Sequence, residues 1–193
     1  MTGKDFGNWD WESPKVVSFE NGYAGDSRWF YIAYLRQGEK LEFSTVKAFG
    51  RGNFAKLQKH QGYTVENDRA VVPSDGIYLI YVGLDTHEVD IQPLSLGGYC
   101  GSSRVDFTTD PGGKTMSPTI PADGRIRIYP NMPAVNSVPK FGEWKREVYV
   151  DPTSKDFLYR KKGSPEPNKD YSWKAGTKIT INFVTNKATI VEP

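Results

Sequence analysis

The sequence predicts an all-β chain of two tandem immunoglobulin-like β-sandwich domains, residues 1–93 and 94–193. Three observations carry that expectation. The first is a strand–turn–strand pattern that closes both halves. Gly76-Ile77-Tyr78-Leu79-Ile80-Tyr81-Val82 runs through Asp85-Thr86-His87 into Val89-Asp90-Ile91-Gln92-Pro93, and Lys178-Ile179-Thr180-Ile181-Asn182-Phe183 runs through Thr185-Asn186-Lys187 into Ala188-Thr189-Ile190-Val191. Ile80, Val82, Leu84, Val89 and Ile91 meet Ile179, Ile181, Phe183, Ala188 and Ile190 at one constant offset, so the phase survives the turn. Repetition at domain scale, not at a short solenoid period, means two related domains. The second observation is period-two alternation throughout, the mark of half-buried strands. The third is punctuation by 13 prolines and 19 glycines, which many short strands require.

In chain order, Trp29-Tyr31-Ala33 alternate with Phe30-Ile32-Tyr34, then Gln37-Gly38-Glu39-Lys40 reads as a turn before Leu41-Glu42-Phe43. Together these are expected to form a hairpin. The only helical expectation is Asn53 to His60, where Phe54 and Leu57 sit three apart. That piece is too short to stand without tertiary contacts. The boundary falls after Pro93, and Gly97-Gly98-Tyr99-Cys100 reads as an early, closely packed strand of the second half. Thr108 to Lys114 and Pro130 to Pro139 read as loops. Ile126 and Ile128 oppose Arg125, Arg127 and Tyr129, and Val148 and Val150 bracket Tyr149, each pattern giving a half-buried strand.

Composition excludes several classes. The net charge of +2 spreads over interspersed lysines, arginines and acids, so neither nucleic acid nor an anionic membrane is an expected partner. Arg160-Lys161-Lys162 reads as a solvated loop. A single cysteine, Cys100, makes no internal disulfide and reads as a structural thiol. No apolar run approaches a membrane span and no signal-peptide pattern stands at Met1; the opening residues are compatible with a cut into a longer exported protein.

The search for catalysis is mostly negative. Gly113-Lys114-Thr115 resembles the end of a phosphate loop, but Thr108 holds the leading glycine position and no helix pattern follows. His87-Glu88 lies in a turn and His60 has no histidine at ligand spacing, so neither a metal nor another cofactor is expected. Asp10, Glu12, Asp26, Glu143 and Asp156 are the acids that a glycosidase pair would draw on, but any soluble chain has such acids and each reads as an exposed surface carboxylate.

The positive signal is aromatic: 5 tryptophans, 11 tyrosines and 10 phenylalanines exceed what two small cores need. Trp9 and Trp11 stand in Gly7-Asn8-Trp9-Asp10-Trp11-Glu12, Trp144 in Glu143-Trp144-Lys145-Arg146, and Trp173 in Ser172-Trp173-Lys174. A surface indole matches the apolar face of a pyranose, while polar neighbours bond the hydroxyl rim. Trp29, inside a strand, reads as core. Trp173 is open between core and ligand roles. Trp9, Trp11 and Trp144, with Lys145 beside it, are the ligand candidates.

A tryptophan near the start, then WFYIAYLRQGEKLEF, then DGIYLIYVGLDTHEVDIQP resembles the repeated domain of SusE/SusF-type proteins. These are surface glycan-binding lipoproteins of Bacteroidetes polysaccharide-utilisation systems. The matching elements are Gly38-Glu39, Leu41-x-Phe43 and the hairpin with Gly76, Tyr78, Ile80 and Val82; most of residues 6–93 is covered, and in the second half mainly the closing hairpin. The resemblance implies a β-sandwich, no catalysis, and binding of polysaccharide or oligosaccharide by exposed aromatics. It also implies a lipid anchor at the outer-membrane cell surface, absent from these residues, and glycan-uptake proteins as neighbours. It places Trp9 and Trp11 at the family's early tryptophan, and Phe49 at the aromatic after its Leu-x-Phe strand. A spacer or adhesion module without a ligand site, and an accessory region of a glycoside hydrolase, stay open beside it.

Overall fold

The computed structural model describes residues 1–19, 28–49, 59–84, 88–131, 146–161 and 163–193, with the backbone alone at 28 and 59–61. The described residues up to Pro93 form one compact unit and those from Leu94 onward a second. Each is built from two hydrogen-bonded sheets, and nearly all pairings are antiparallel.

In the first unit the strands are β1 Thr2–Gly3, β2 Arg28–Leu35, β3 Lys40–Glu42, β4 Lys59–Gln61, β5 Thr64–Glu66, β6 Arg69–Val71, β7 Gly76–Gly83 and β8 Glu88–Pro93. One sheet runs β1-β3-β6-β5, the other β2-β7-β8-β4. Their facing residues make the core: Leu41 and Ala70 from the first meet Ala33, Leu35, Ile80, Val82, Val89 and Ile91 from the second in one buried cluster. Each fully buried aliphatic side chain there contributes about 1.5–3 kcal/mol.

Two sequence expectations change. The Trp29–Phe43 segment is not a hairpin. β2 pairs with β7 across all eight residues, whereas β3 pairs with β1 and β6 in the opposite sheet. Residues 36–39 are therefore an arch between the layers, with Gly38 at φ +72° donating its N–H to the Val72 carbonyl and Glu39 bonding back to Arg36. Alternation identifies two strands but is the same whether they share a sheet or cross the sandwich. The helical expectation ends in strand: Lys59–Gln61 pairs parallel with Glu88–Asp90 of β8, while residues 53–58 lie outside the described residues. Gly62, which follows at φ +79°, sits where a Cβ would fall 1.9 Å from the Ile91 carbonyl oxygen, so only glycine fits this approach.

In the second unit the strands are β9 Leu96–Cys100, β10 Ser103–Asp106, β11 Thr108–Thr109, β12 Thr115–Ser117, β13 Ile126–Pro130, β14 Val148–Val150, β15 Phe157–Tyr159, β16 Lys178–Asn182 and β17 Lys187–Val191. The sheets run β10-β9-β13-β14-β15 and β11-β12-β16-β17. The repeated closing pattern becomes a repeated register. Ile80 faces Ile91 and Val82 faces Val89 in the first unit; Ile179 faces Ile190 and Ile181 faces Ala188 in the second. The close packing expected at Gly97-Gly98 is physical, because a Cβ on Gly98 would lie 2.1 Å from the Arg127 carbonyl oxygen of β13. Gly113 N–H bonds the Asp110 carbonyl, so the Gly-Lys-Thr segment is the β11–β12 turn.

Candidate functional site

The first unit carries a cleft of about 360 Å³, inside the roughly 300–1,000 Å³ range of ligand pockets. Its walls include Trp11, Phe19, Trp29, Val46 and Lys47. Two loops build it. From Gly7 to Val16 the backbone makes successive turns: Asp10 N–H bonds the Gly7 carbonyl, Ser13 N–H the Asp10 carbonyl, and Val16 N–H the Ser13 carbonyl. The Asp10 carboxylate accepts the Glu12 N–H at 3.0 Å, an Asx turn that directs Asp10 and Glu12 to solvent while the Trp11 side chain turns inward. After β3, the Ser44 hydroxyl accepts the Val46 N–H at 3.1 Å, shaping the stretch that leads to Phe49.

These loops bring two of the sequence candidates together. The Trp11 and Phe49 rings lie 5.8 Å apart between centroids at 54°. Their exposures differ sharply, 7% for Trp11 and 48% for Phe49. Trp11 is thus not the surface platform its polar neighbours suggested, because Phe49 packs against it and its neighbours Asp10 and Glu12 alone face water. Phe49 is the exposed ring of the pair. Phe19 continues the aromatic surface, 6.0 Å from Phe43 and 6.4 Å from Tyr31. Trp29 is half-buried, packed on the core as expected and also lining the cleft.

Polar chemistry rings this apolar floor. The Lys47 ammonium sits 3.1 Å from the Glu12 carboxylate, with side chains 64% and 75% exposed. Such a pair contributes little to stability and exchanges easily for hydroxyl partners. The Trp11 Nε1–H is buried and, among the described residues, has no hydrogen-bond partner. An orphaned buried donor costs about 1–3 kcal/mol. Of these groups, sequence reasoning missed Glu12 as a rim group, Lys47, Phe19 and Val46. The one available signal was Val46, an apolar residue between Thr45 and Lys47 that stands 49% exposed.

Trp9 lies apart from that cleft. It borders a groove of about 340 Å³ with Lys4, Arg36, Gln37, Glu39 and Lys40. Gly7, Asn8 and Trp9 have φ of +91°, +52° and +64°, a left-handed run that glycine and asparagine accept and tryptophan rarely adopts. The Arg69 guanidinium covers one face of the indole, 4.1 Å from its centroid, and bonds the Glu42 carboxylate at 3.4 Å. Glu39 is nearly buried, and its carboxyl is held above the usual carboxylate range first by desolvation and then by Asp5.

In the second unit, Trp144 and Lys145 lie outside the described residues. Trp173 is core, 1% exposed, with Tyr171 edge-on at 4.9 Å. Glu147, 1% exposed, gathers three guanidinium groups: Arg127 in a two-point contact at 3.1 and 3.2 Å, Arg160 at 2.8 Å and Arg125 at 3.4 Å. The Cys100 thiol is buried and donates to the Ala122 carbonyl, and burial raises its pKa, which suits a structural thiol. Among the described residues no group of three or more His, Cys, Asp or Glu is placed to hold a metal, and no helix is long and apolar enough to cross a membrane.

No family model matches this chain, and no curated protein matches it. Among solved structures it is similar to the crystal structure of SusF from Bacteroides thetaiotaomicron, with a TM-score of 0.76 over 98% of this chain at 19% identity. The chain has the fold of SusF. It spans 46% of the SusF chain's length. The all-β expectation and the SusE/SusF-like build both hold, and they extend into the second half, where the sequence resemblance was thinnest.

Proposed function

We propose that this chain is a non-catalytic polysaccharide-binding part of a bacterial cell-surface glycan-capture protein. The observation that carries the reading is the cleft lined by Trp11, Phe19, Trp29 and Lys47, with the half-exposed Phe49 ring packed on Trp11 beside it and Glu12 paired to Lys47. A pyranose laid on Phe49 buries its C–H face, while its hydroxyls replace water around Lys47 and Glu12. Each stacked ring contributes on the order of 1–2 kcal/mol by area burial. Two or three rings then give binding from roughly tens of millimolar to tens of micromolar, which suits capture followed by release. Trp144 and Lys145 are proposed as the second unit's ligand residues on their sequence setting. The likeness to SusF supports a surface-exposed, lipid-anchored context with other glycan-uptake proteins as partners. Burial of Trp11 and Trp173 favours the rival spacer reading.

Affinity electrophoresis of the purified chain against starch, xylan, mannan and β-glucans tests the proposal. Retardation by one polymer names the ligand class. No retardation by any of them transfers the weight to the spacer.

A further inference from the structure

The groove beside Trp9 has a chemistry different from that of the Phe49 cleft. Its lining carries three cations, Lys4, Arg36 and Lys40, against one carboxylate, Glu39. Arg36 reaches Asp5 only at 3.6 Å, with side chains 63% and 43% exposed, and Lys40 meets Glu66 at 3.1 Å, with side chains 43% and 53% exposed. Exposed pairs of this kind hold weakly and give way to a better-placed anion. Among the described residues Lys4 has no carboxylate within ion-pair distance. Gly38 leaves the wall open, since a Cβ there would meet nothing within 4 Å.

Core packing does not account for Trp9. The ring is only half-buried, yet its backbone holds a left-handed conformation that a bulky residue rarely adopts. Strain of this kind persists where the surroundings fix it, and it concentrates at ligand sites. Arg69 supplies the fixing by stacking on one face, while the indole still borders the groove. An immobilised indole flanked by guanidinium and ammonium groups matches a sugar that carries a negative charge. A planar carboxylate fits the planar guanidinium fork of Arg36 in a way that a hydroxyl does not.

We propose that this groove is a separate subsite for an acidic sugar, a uronate whose ring lies against Trp9 and whose carboxylate is held by Arg36, Lys4 and Lys40. The inference rests on the glycan-binding reading only in taking the ligand to be a sugar. It makes the first unit a reader of two features of a polymer, an apolar sugar face at Phe49 and a charge at Trp9.

The test is a titration of the ¹⁵N-labelled full chain, following the tryptophan indole N–H signals, with the Trp9 signal assigned through Trp9→Phe. Trigalacturonate, maltotriose and sodium sulfate are compared at matched ionic strength. The expected result is a saturable shift of the Trp9 signal with trigalacturonate alone. Its affinity falls several-fold at about 0.5 M NaCl, where screening acts within roughly 4–5 Å. In Lys4→Gln/Arg36→Gln, whose side chains are exposed and whose melting temperature should match the parent, affinity falls at least roughly ten-fold, as loss of two charge-assisted contacts implies. An equal shift with maltotriose overturns the charge selection, and an equal shift with sulfate reduces the groove to an unspecific ion site. No shift, or full affinity in the double variant, removes the subsite. The Trp11 signal reports the Phe49 cleft in the same spectra, so failure of the general glycan reading shows at Trp11 and failure of this inference at Trp9.

Discussion

Replacing Phe49 and Trp11 separately by alanine distinguishes a binding platform from its support. Phe49 is 48% exposed and Trp11 7% exposed, although their rings touch at 5.8 Å. For Phe49→Ala, the folded protein loses one tilted aromatic contact, worth about 0.5–1.5 kcal/mol, and the burial of about half a ring, worth about 1 kcal/mol more. In a unit of about 90 residues a total of about 2 kcal/mol is a fall of roughly 10 °C in melting temperature. Glycan binding loses one stacked ring, on the order of 1–2 kcal/mol or roughly 5–30-fold in Kd. Trp11→Ala empties a buried site, at about 3–5 kcal/mol, from which release of its orphaned N–H recovers part. Its signature is a clearly larger stability loss, with binding lost as a consequence. Urea denaturation of each variant, paired with calorimetric titration of the polymer that retards the parent, reads both quantities. If Phe49→Ala destabilises as much as Trp11→Ala, Phe49 is core. If it binds as tightly as the parent, the ring is no platform. Either result refutes the reasoning.

Two further outcomes follow from the second unit. Glu147→Ala leaves the Arg125, Arg127 and Arg160 guanidinium groups around a vacated carboxylate at a position 1% exposed, so the unfolding free energy should fall by about 3–5 kcal/mol; a loss below about 1 kcal/mol in urea titration contradicts the network. Asp110 accepts hydrogen bonds from Thr115 at 2.7 Å and Ser117 at 2.8 Å, which hold its carboxyl below the usual range. A depressed folded pKa means stability that is present above the unfolded value of about 3.9 and lost as pH falls through the folded one. Asp110→Asn should therefore be less stable than the parent at neutral pH, with the gap closing in acid; a gap that is constant with pH from melts at both ends contradicts this.

The closing hairpins were legible as strand pairs, because alternation over five positions fixes which side chains face inward; the pairs Ile80–Ile91 and Ile179–Ile190 came only with the structure, since alternation is unchanged by a two-residue slip. The arch at residues 36–39 was not legible, since nothing local says whether β3 returns to β2 or crosses to β1 and β6. Lys59 and His60 were misread for a related reason: their strand character comes from a parallel partner in β8, remote in sequence. At the site, polarity of neighbours misled for Trp11. Asp10 and Glu12 are solvated on a tight turn while the indole between them points inward beneath Phe49, a partner far along the chain. Trp173 shows the same geometry, buried between the exposed Ser172 and Lys174. Local polarity reports where the backbone runs, not where a side chain ends.

The most direct test is a crystal structure of the chain with an oligosaccharide cut from the polymer that retards it. The account predicts a sugar ring stacked on Phe49, with hydroxyls hydrogen-bonded to Lys47 or Glu12. A sugar bound elsewhere in the first unit with the Phe49 cleft empty, or a crystal saturated with ligand that holds none there, contradicts it.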